Sequence, residues 1–236
     1  MKTWFTLLSL ALFSITAAQA DIQSLEKNLQ KNFPDMPAKS IHSTPLPDIY
    51  EVYMGGRIVY TNEQGRYFMV GSLIDLPEQK NLTEEREQIL KRIDVKQLPL
   101  NQAIKQVKGN GKRVIYIFSD PDCPYCQKLE LELAKLNNVT LYLFIMPLKE
   151  LHPNAEAISK QIWCSKKPAQ AWTDYTINKK QPSAKDSCET PIEKNIELAK
   201  KLEITGTPTL FLKDGTRLSG AIPADELDKM LDQLEQ

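Results

Sequence analysis

The sequence predicts an α/β domain with a helical insertion, preceded by a small α+β module and joined to it by a charged linker helix. Three observations carry that expectation. Apolar runs and a helical pattern alternate as strand, helix and strand from Arg113 to Ile145. Aromatic and β-branched runs separated by glycine-containing turns lie between Ile49 and Val70. A charge-rich helical stretch after Thr83 stands between the two. Composition agrees, since 42% of the 236 residues are hydrophobic, 25% are charged, and 30 Lys+Arg balance 30 Asp+Glu. That profile is an ordinary globular one and excludes collagenous, disordered and polytopic membrane classes. The balanced charge leaves no electrostatic footprint for a polyanion, so no nucleic-acid partner is expected.

Residues 1–20 read as a secretory signal peptide: Lys2 gives a positive start, Trp4 to Ala17 is apolar or small, and Ala18-Gln19-Ala20 is a small-x-small cleavage site. An apolar core of about 14 residues is short of the ~20 needed to span a bilayer. These residues are therefore set outside the fold, with cleavage near Ala20. The mature chain then belongs to an oxidising space where disulfides persist.

From Asp21, Ile22, Leu25 and Leu29 recur at helical spacing up to Phe33-Pro34. Ile49–Met54, Arg57–Thr61 and Arg66–Val70, split by Gly55-Gly56 and by residues 62–65, read as an antiparallel meander. A module of residues 21–80 is small for an independent core and calls for a partner surface. Thr83 is the expected cap of a helix to about Asp94, with Ile89, Leu90 and Ile93 facing inward, inside a linker of residues 81–99. Within residues 100–236, Arg113–Phe118 and Val139–Ile145 are strands flanking a helix with Leu129, Leu133 and Leu136 on one face. Two helical stretches fill roughly residues 154–178. Thr190-Pro191-Ile192-Glu193 has the form of a capping box opening a helix to Leu202. Thr209–Lys213 and Thr216–Ser219 form a hairpin about Asp214-Gly215, and Pro223 starts a last helix with Leu227, Met230, Leu231 and Leu234 apolar.

The chemistry lies in the cysteines. Cys123-Pro124-Tyr125-Cys126 follows a strand and opens a helix. The first sulfur there meets unpaired backbone N–H groups and the positive end of the helix dipole, which favour thiolate, so Cys123 is the candidate nucleophile. Cys126 lies one turn deeper, within bridging reach, and is the candidate for resolving a mixed disulfide at Cys123. A zinc site is the first rival. Cys164 and Cys188 form no second C-x-x-C, and neither His42 nor His152 stands at ligand spacing, so no metal is expected. An inert bridge within the motif is the second, but so short a loop staples almost nothing. Cys164 and Cys188 fit the structural role better, since closing a loop of about 25 residues is worth roughly 3.5 kcal/mol in the chain-entropy picture. A second redox pair is the alternative, with no close companion cysteine or activating terminus to support it.

Strand, Cys123-Pro-Tyr-Cys126 opening a helix, and Gly206-Thr207-Pro208 before a hairpin and terminal helix together resemble the thioredoxin fold with its cis-proline loop. With the N-terminal strand module and linker helix, the chain resembles the periplasmic disulfide isomerase family DsbC/DsbG over nearly its whole mature length. Ile162-Trp163-Cys164 with Cys188 resembles the structural disulfide of the DsbC branch, whereas Pro124-Tyr125 is also what DsbG-like members carry; the former places the chain nearest DsbC. The resemblance implies a V-shaped homodimer joined through residues 21–80, with Thr207 and Pro208 opposite Cys123 and two active sites facing an apolar cleft. Tyr53, Tyr60, Tyr67 and Phe68 are candidates for its lining, with plain core as the alternative. It further implies reshuffling of wrong disulfides in misfolded secreted proteins, some chaperone activity, no cofactor, and reduction by a membrane donor of the DsbD type. A DsbG-like reductase or chaperone, and a dithiol oxidase of the DsbA type, are the alternative functions.

Overall fold

The computed structural model describes residues 13–235. The expected signal peptide lies outside the described residues up to position 12. The chain divides into two compact units, the first ending at Glu87 and the second beginning at Gln88.

The first unit opens with helix α1 (Phe13–Asn32), whose Leu25 and Leu29 are buried. Strands β1 (Ser40–Ser43), β2 (Tyr50–Met54) and β3 (Arg57–Thr61) follow, in an antiparallel sheet of order β1-β2-β3. Gly55 and Gly56 make the β2–β3 turn at positive φ, where a side chain is disfavoured. Leu25, Leu29, Tyr50, Val52, Met54 and Val59 form the core of this unit. Tyr53 and Tyr60 are buried as well, with Tyr60 bordering a pocket beside Leu46, Met69 and Val70, while Tyr67 is 69% exposed.

The third strand expected at Arg66–Val70 is reduced to one bridge, in which Tyr60 and Met69 exchange both backbone bonds, at 2.9 and 2.8 Å. The ladder stops there because the Thr61 hydroxyl donates to the Tyr67 carbonyl at 2.7 Å. A small ladder, β4 (Ile74–Asp75) with β5 (Lys80–Asn81), leads to helix α2 (Leu82–Leu90). Its cap is Asn81, which accepts from Glu84 N–H at 3.1 Å, and not Thr83. Thr83 is buried inside the helix, 2.5 Å from the Tyr60 hydroxyl and accepting from Leu73 N–H. The helix also stops short of Asp94, and Ile89 is exposed. Ile93 N–H is given instead to the Gly215 carbonyl, and Asp94 caps a following single turn, Val95–Gln97.

A second short turn, Leu100–Gln102, leads into the sheet of the second unit. Its elements are β6 (Ile104–Lys108), β7 (Arg113–Ser119), α3 (Pro124–Lys135), β8 (Val139–Ile145), α4 (Ala155–Trp163), α5 (Pro168–Thr176), α6 (Ile192–Lys201), β9 (Thr209–Leu212), β10 (Arg217–Ser219) and α7 (Ala224–Gln233). The sheet order is β10-β9-β7-β8-β6, with β7 and β8 parallel and the other pairs antiparallel. Strand β6 escapes sequence reading because Lys105, Gln106 and Lys108 make an edge strand look like a polar loop. Pro191 lies outside α6 rather than at its first position, and Thr190 makes no capping bond.

Period-two alternation divides the core into two layers. Ile115, Ile117, Leu141, Leu143 and Ile145 join Leu129 and Leu133 of α3 on one face. Phe118, Phe144 and Phe211 pack together on the other. Phe118 stacks on Phe144 at a ring separation of 4.8 Å. Both central strands are thus buried on two faces, which fixes where β7 ends and the motif begins.

Candidate active site

Strand β7 ends at Ser119, and residues 120–122 turn the chain into α3. Cys123 is the cap residue, with extended backbone (φ −70°, ψ 122°), and Pro124 occupies the first helical turn, where its missing N–H costs no hydrogen bond. The Cys123 N–H donates to the Asp120 carbonyl at 3.3 Å, and its carbonyl accepts Gln127 N–H at 3.0 Å. The Cys123 thiol faces the Thr207 carbonyl at 3.5 Å, beside the cis Thr207-Pro208 peptide. Cys126 is fully buried and its sulfur accepts from Asp120 N–H at 3.4 Å. Cys123 keeps 6% exposure, and Tyr125 between them is 67% exposed.

This arrangement polarises the pair. The hydrogen bond from the Cys126 thiol, followed by the Cys126 N–H, Thr207 and the Tyr125 N–H, holds the Cys123 thiol down at about 5 against the opposing effect of burial. Burial, and then the hydrogen bond to Cys123, pushes the Cys126 thiol up. One sulfur is a thiolate near neutral pH and the other a shielded thiol.

Around them lies a polar frame. Asp120 is fully buried; its Oδ1 accepts Asp122 N–H at 2.7 Å, its Oδ2 accepts Leu148 N–H at 2.6 Å, and Nδ1 of His152 stands 3.0 Å from Oδ2. The Tyr175 hydroxyl donates to Asp122 Oδ1 at 2.5 Å, and burial followed by that carboxylate pushes the phenol up to about 12. Lys179 Nζ donates to Gln127 Oε1 at 2.5 Å, and Gln127 Nε2 donates to the Pro121 carbonyl at 2.9 Å. Cys164, at the end of α4, is bonded to Cys188, with the two Cα atoms 5.7 Å apart. Tyr175 and Lys179 belong to the loop this bond closes. Among the described residues, no group of three or more His, Cys, Asp and Glu side chains is placed to hold a metal ion.

The thioredoxin-like domain family matches residues 100–235, and the N-terminal domain family of disulfide bond isomerase proteins matches residues 16–84. A probable thiol:disulfide interchange protein DsbC of Bordetella parapertussis is 34% identical over 218 residues, covering 92% of this chain and 77% of its own. The chain belongs to the DsbC family. The thiol:disulfide interchange protein DsbC of Escherichia coli K12 is 27% identical over 235 residues, covering 99% of this chain and 97% of its own. A disulfide interchange protein from Neisseria gonorrhoeae has a crystal structure with a TM-score of 0.57 and 39% identity, covering 59% of this chain and 99% of that one. This DsbC-family chain is therefore a thiol:disulfide interchange enzyme whose second unit has the thioredoxin fold, as its sequence pattern implies.

The structure gathers Cys123, Pro124, Tyr125, Cys126, Thr207 and Pro208 at one end of the sheet and bonds Cys164, at the end of α4, to Cys188. Sequence reasoning missed Asp120, and it treated His152 only as a rejected metal ligand. Their pairing spans 32 positions, and no local pattern announces it.

Proposed function

We propose that Cys123 and Cys126 are the catalytic dithiol of a periplasmic protein disulfide isomerase. The observation that carries this reading is the asymmetry of the two sulfurs, one ionised and facing Thr207, the other fully buried. The Cys123 thiolate attacks one sulfur of a wrong disulfide in a secreted protein. A Cys123–substrate disulfide forms, the substrate bond breaks, and the other substrate sulfur leaves as a thiolate. That thiolate, or another in the same chain, attacks a different sulfur and finally displaces Cys123, so no net electrons are exchanged. When the substrate stalls, Cys126 loses its proton and attacks the Cys123 sulfur. The substrate leaves as a thiol, the enzyme is oxidised, and a membrane dithiol donor of the DsbD type returns two electrons.

The working arrangement is a homodimer joined through residues 21–80, with 81–99 as linker and 100–236 as catalytic domain, after removal of residues 1–20. Exposed Leu46, Tyr67, Met69, Val70, Ile74 and Leu76 in the first unit support an apolar surface covered by a second copy and by unfolded substrate, the latter giving chaperone activity.

The test is a reshuffling assay on a scrambled disulfide protein. Cys123→Ser abolishes reshuffling, whereas Cys126→Ser retains part of it and accumulates mixed disulfides. Equal loss of the first attack in both variants overturns the roles. Sedimentation of the mature chain tests the dimer, and a monomer with full isomerase activity overturns it.

A further inference from the structure

The Asp120–His152 pair is not used in the exchange just described, yet it is built into the same loop. Asp120 touches both cysteines through its main chain: its carbonyl accepts Cys123 N–H at 3.3 Å and its N–H points at the Cys126 sulfur at 3.4 Å. Its carboxylate has no exposure and takes three partners, the N–H groups of Asp122 and Leu148 and the ring of His152. Of these only His152 can carry a charge, and a carboxylate removed from water needs one.

The ring meets Asp120 through Nδ1, and the main chain that carries it is tied down beside it. The main-chain N–H of His152 donates to the Leu148 carbonyl at 2.8 Å, while Leu148 N–H and His152 Nδ1 meet the same Asp120 oxygen. With Nδ1–H committed to Asp120, the proton that His152 gains or loses sits on Nε2.

We propose that His152 is a positioning residue for the interchange reaction: its imidazolium, fixed on Asp120, offsets that carboxylate's field at Cys123 and keeps the attacking sulfur ionised in mildly acidic surroundings. This rests on the reading of Cys123 as the attacking sulfur. The reason is a charge count. With neutral imidazole, the Asp120 pair bears a net negative charge on the turn whose carbonyl holds the Cys123 N–H; with imidazolium it bears none. The groups that act on the ring are Asp120, Cys123 and Asp122, the last also bound by the Tyr175 hydroxyl. The hydrogen bond to Asp120 comes first, and together they raise the imidazole above its ordinary value against the opposing effect of burial. Coupling between two sites is reciprocal, so what the thiolate does for the imidazolium, the imidazolium does for the thiolate.

The experiment follows the rate of iodoacetamide labelling of the reduced full chain against pH, with mass spectrometry locating the label. In His152→Gln we expect labelling of Cys123 at pH 5 to be about tenfold slower than in wild type, with the two profiles converging by pH 9. The equilibrium with glutathione should move toward the Cys123–Cys126 disulfide, because the reduced form loses its charge partner. His152→Lys, with a permanent cation, should restore the acid side of the profile. A second measurement leaves His152 in place. In Cys123→Ser the imidazole should titrate at lower pH by NMR than in the reduced wild type, with His42, the other histidine of the chain, unmoved. A His152→Gln profile superimposable on wild type, or a uniform loss at every pH, overturns the proposal. Label found on Cys126 in wild type instead overturns the assignment of Cys123 itself.

Discussion

Two cysteine pairs lie in one α/β unit, one free and one bonded. Cys123 and Cys126 are separated by one helical turn, at a helix terminus that supplies N–H groups to one sulfur and burial to the other. Cys164 and Cys188 enclose 23 residues between them, a separation of 24, and have no such terminus. Loop length and local field, rather than any property of sulfur, are what the proposed division into an exchanging pair and a closed one rests on. The two are also linked mechanically, because the loop closed by the second pair carries Tyr175 and Lys179 to the turn that holds the first.

The largest effect that can break this contrast is loss of the attacking sulfur. Cys123→Ser should reduce reshuffling to the uncatalysed level, whereas replacing both Cys164 and Cys188 with Ala should leave Cys123 reactive toward iodoacetamide at ambient temperature. That double variant should instead lose stability, by about 3.5 kcal/mol for a loop of this length. Urea unfolding measures the loss, and an unchanged midpoint removes the structural role of the bond.

The helix bearing the reactive pair can be separated from it by pH. Glu130, in the middle of α3, is 6% exposed, and burial pushes its carboxyl up to about 7 against the opposing effects of Trp172 and then Lys108. A folded-state value above the unfolded one favours the folded protein at low pH, and that contribution disappears as pH rises from about 4.5 through 7. Glu130→Gln should therefore be more stable than wild type at pH 8, by on the order of 3 kcal/mol, and equal to it near pH 4. Thermal unfolding across that range decides, and parallel curves for the two proteins refute the assignment.

The smallest effect tests the link between the pairs. Tyr175→Phe removes one hydrogen bond to Asp122 and should cost about 1 kcal/mol. Proteolysis or amide exchange should find the loosening at residues 120–123. Loosening confined to α5 would mean that the two pairs stand apart.

What the sequence made legible was local. Cys123-Pro124-Tyr125-Cys126 after an apolar run needs only helix-terminus chemistry to be read, and the two-faced runs of β7 and β8 need only their lack of polar residues. What it concealed depends on partners distant in the chain. Thr83 looks like a cap until the Tyr60 hydroxyl occupies its oxygen, and Asn81 takes the role. Met69 looks like part of a strand, but Thr61 ends the ladder after one bridge. Asp120 and His152 carry no signature at all, because a turn aspartate and a loop histidine become a pair only when β7 and β8 lie side by side.

The margins of the catalytic sheet have a consequence of their own. One margin is β6, where Lys105 and Lys108 flank a Val107 that is 56% exposed; the other is β10, three residues long and opening with Arg217. Cationic side chains and shortness are what keep open backbone from recruiting foreign strands. If the proposed isomerase role holds, its misfolded clients bring such strands at every turnover, and a bare margin would join them in aggregates. With both margins guarded, an extended chain meets no readily vacant ladder on this sheet.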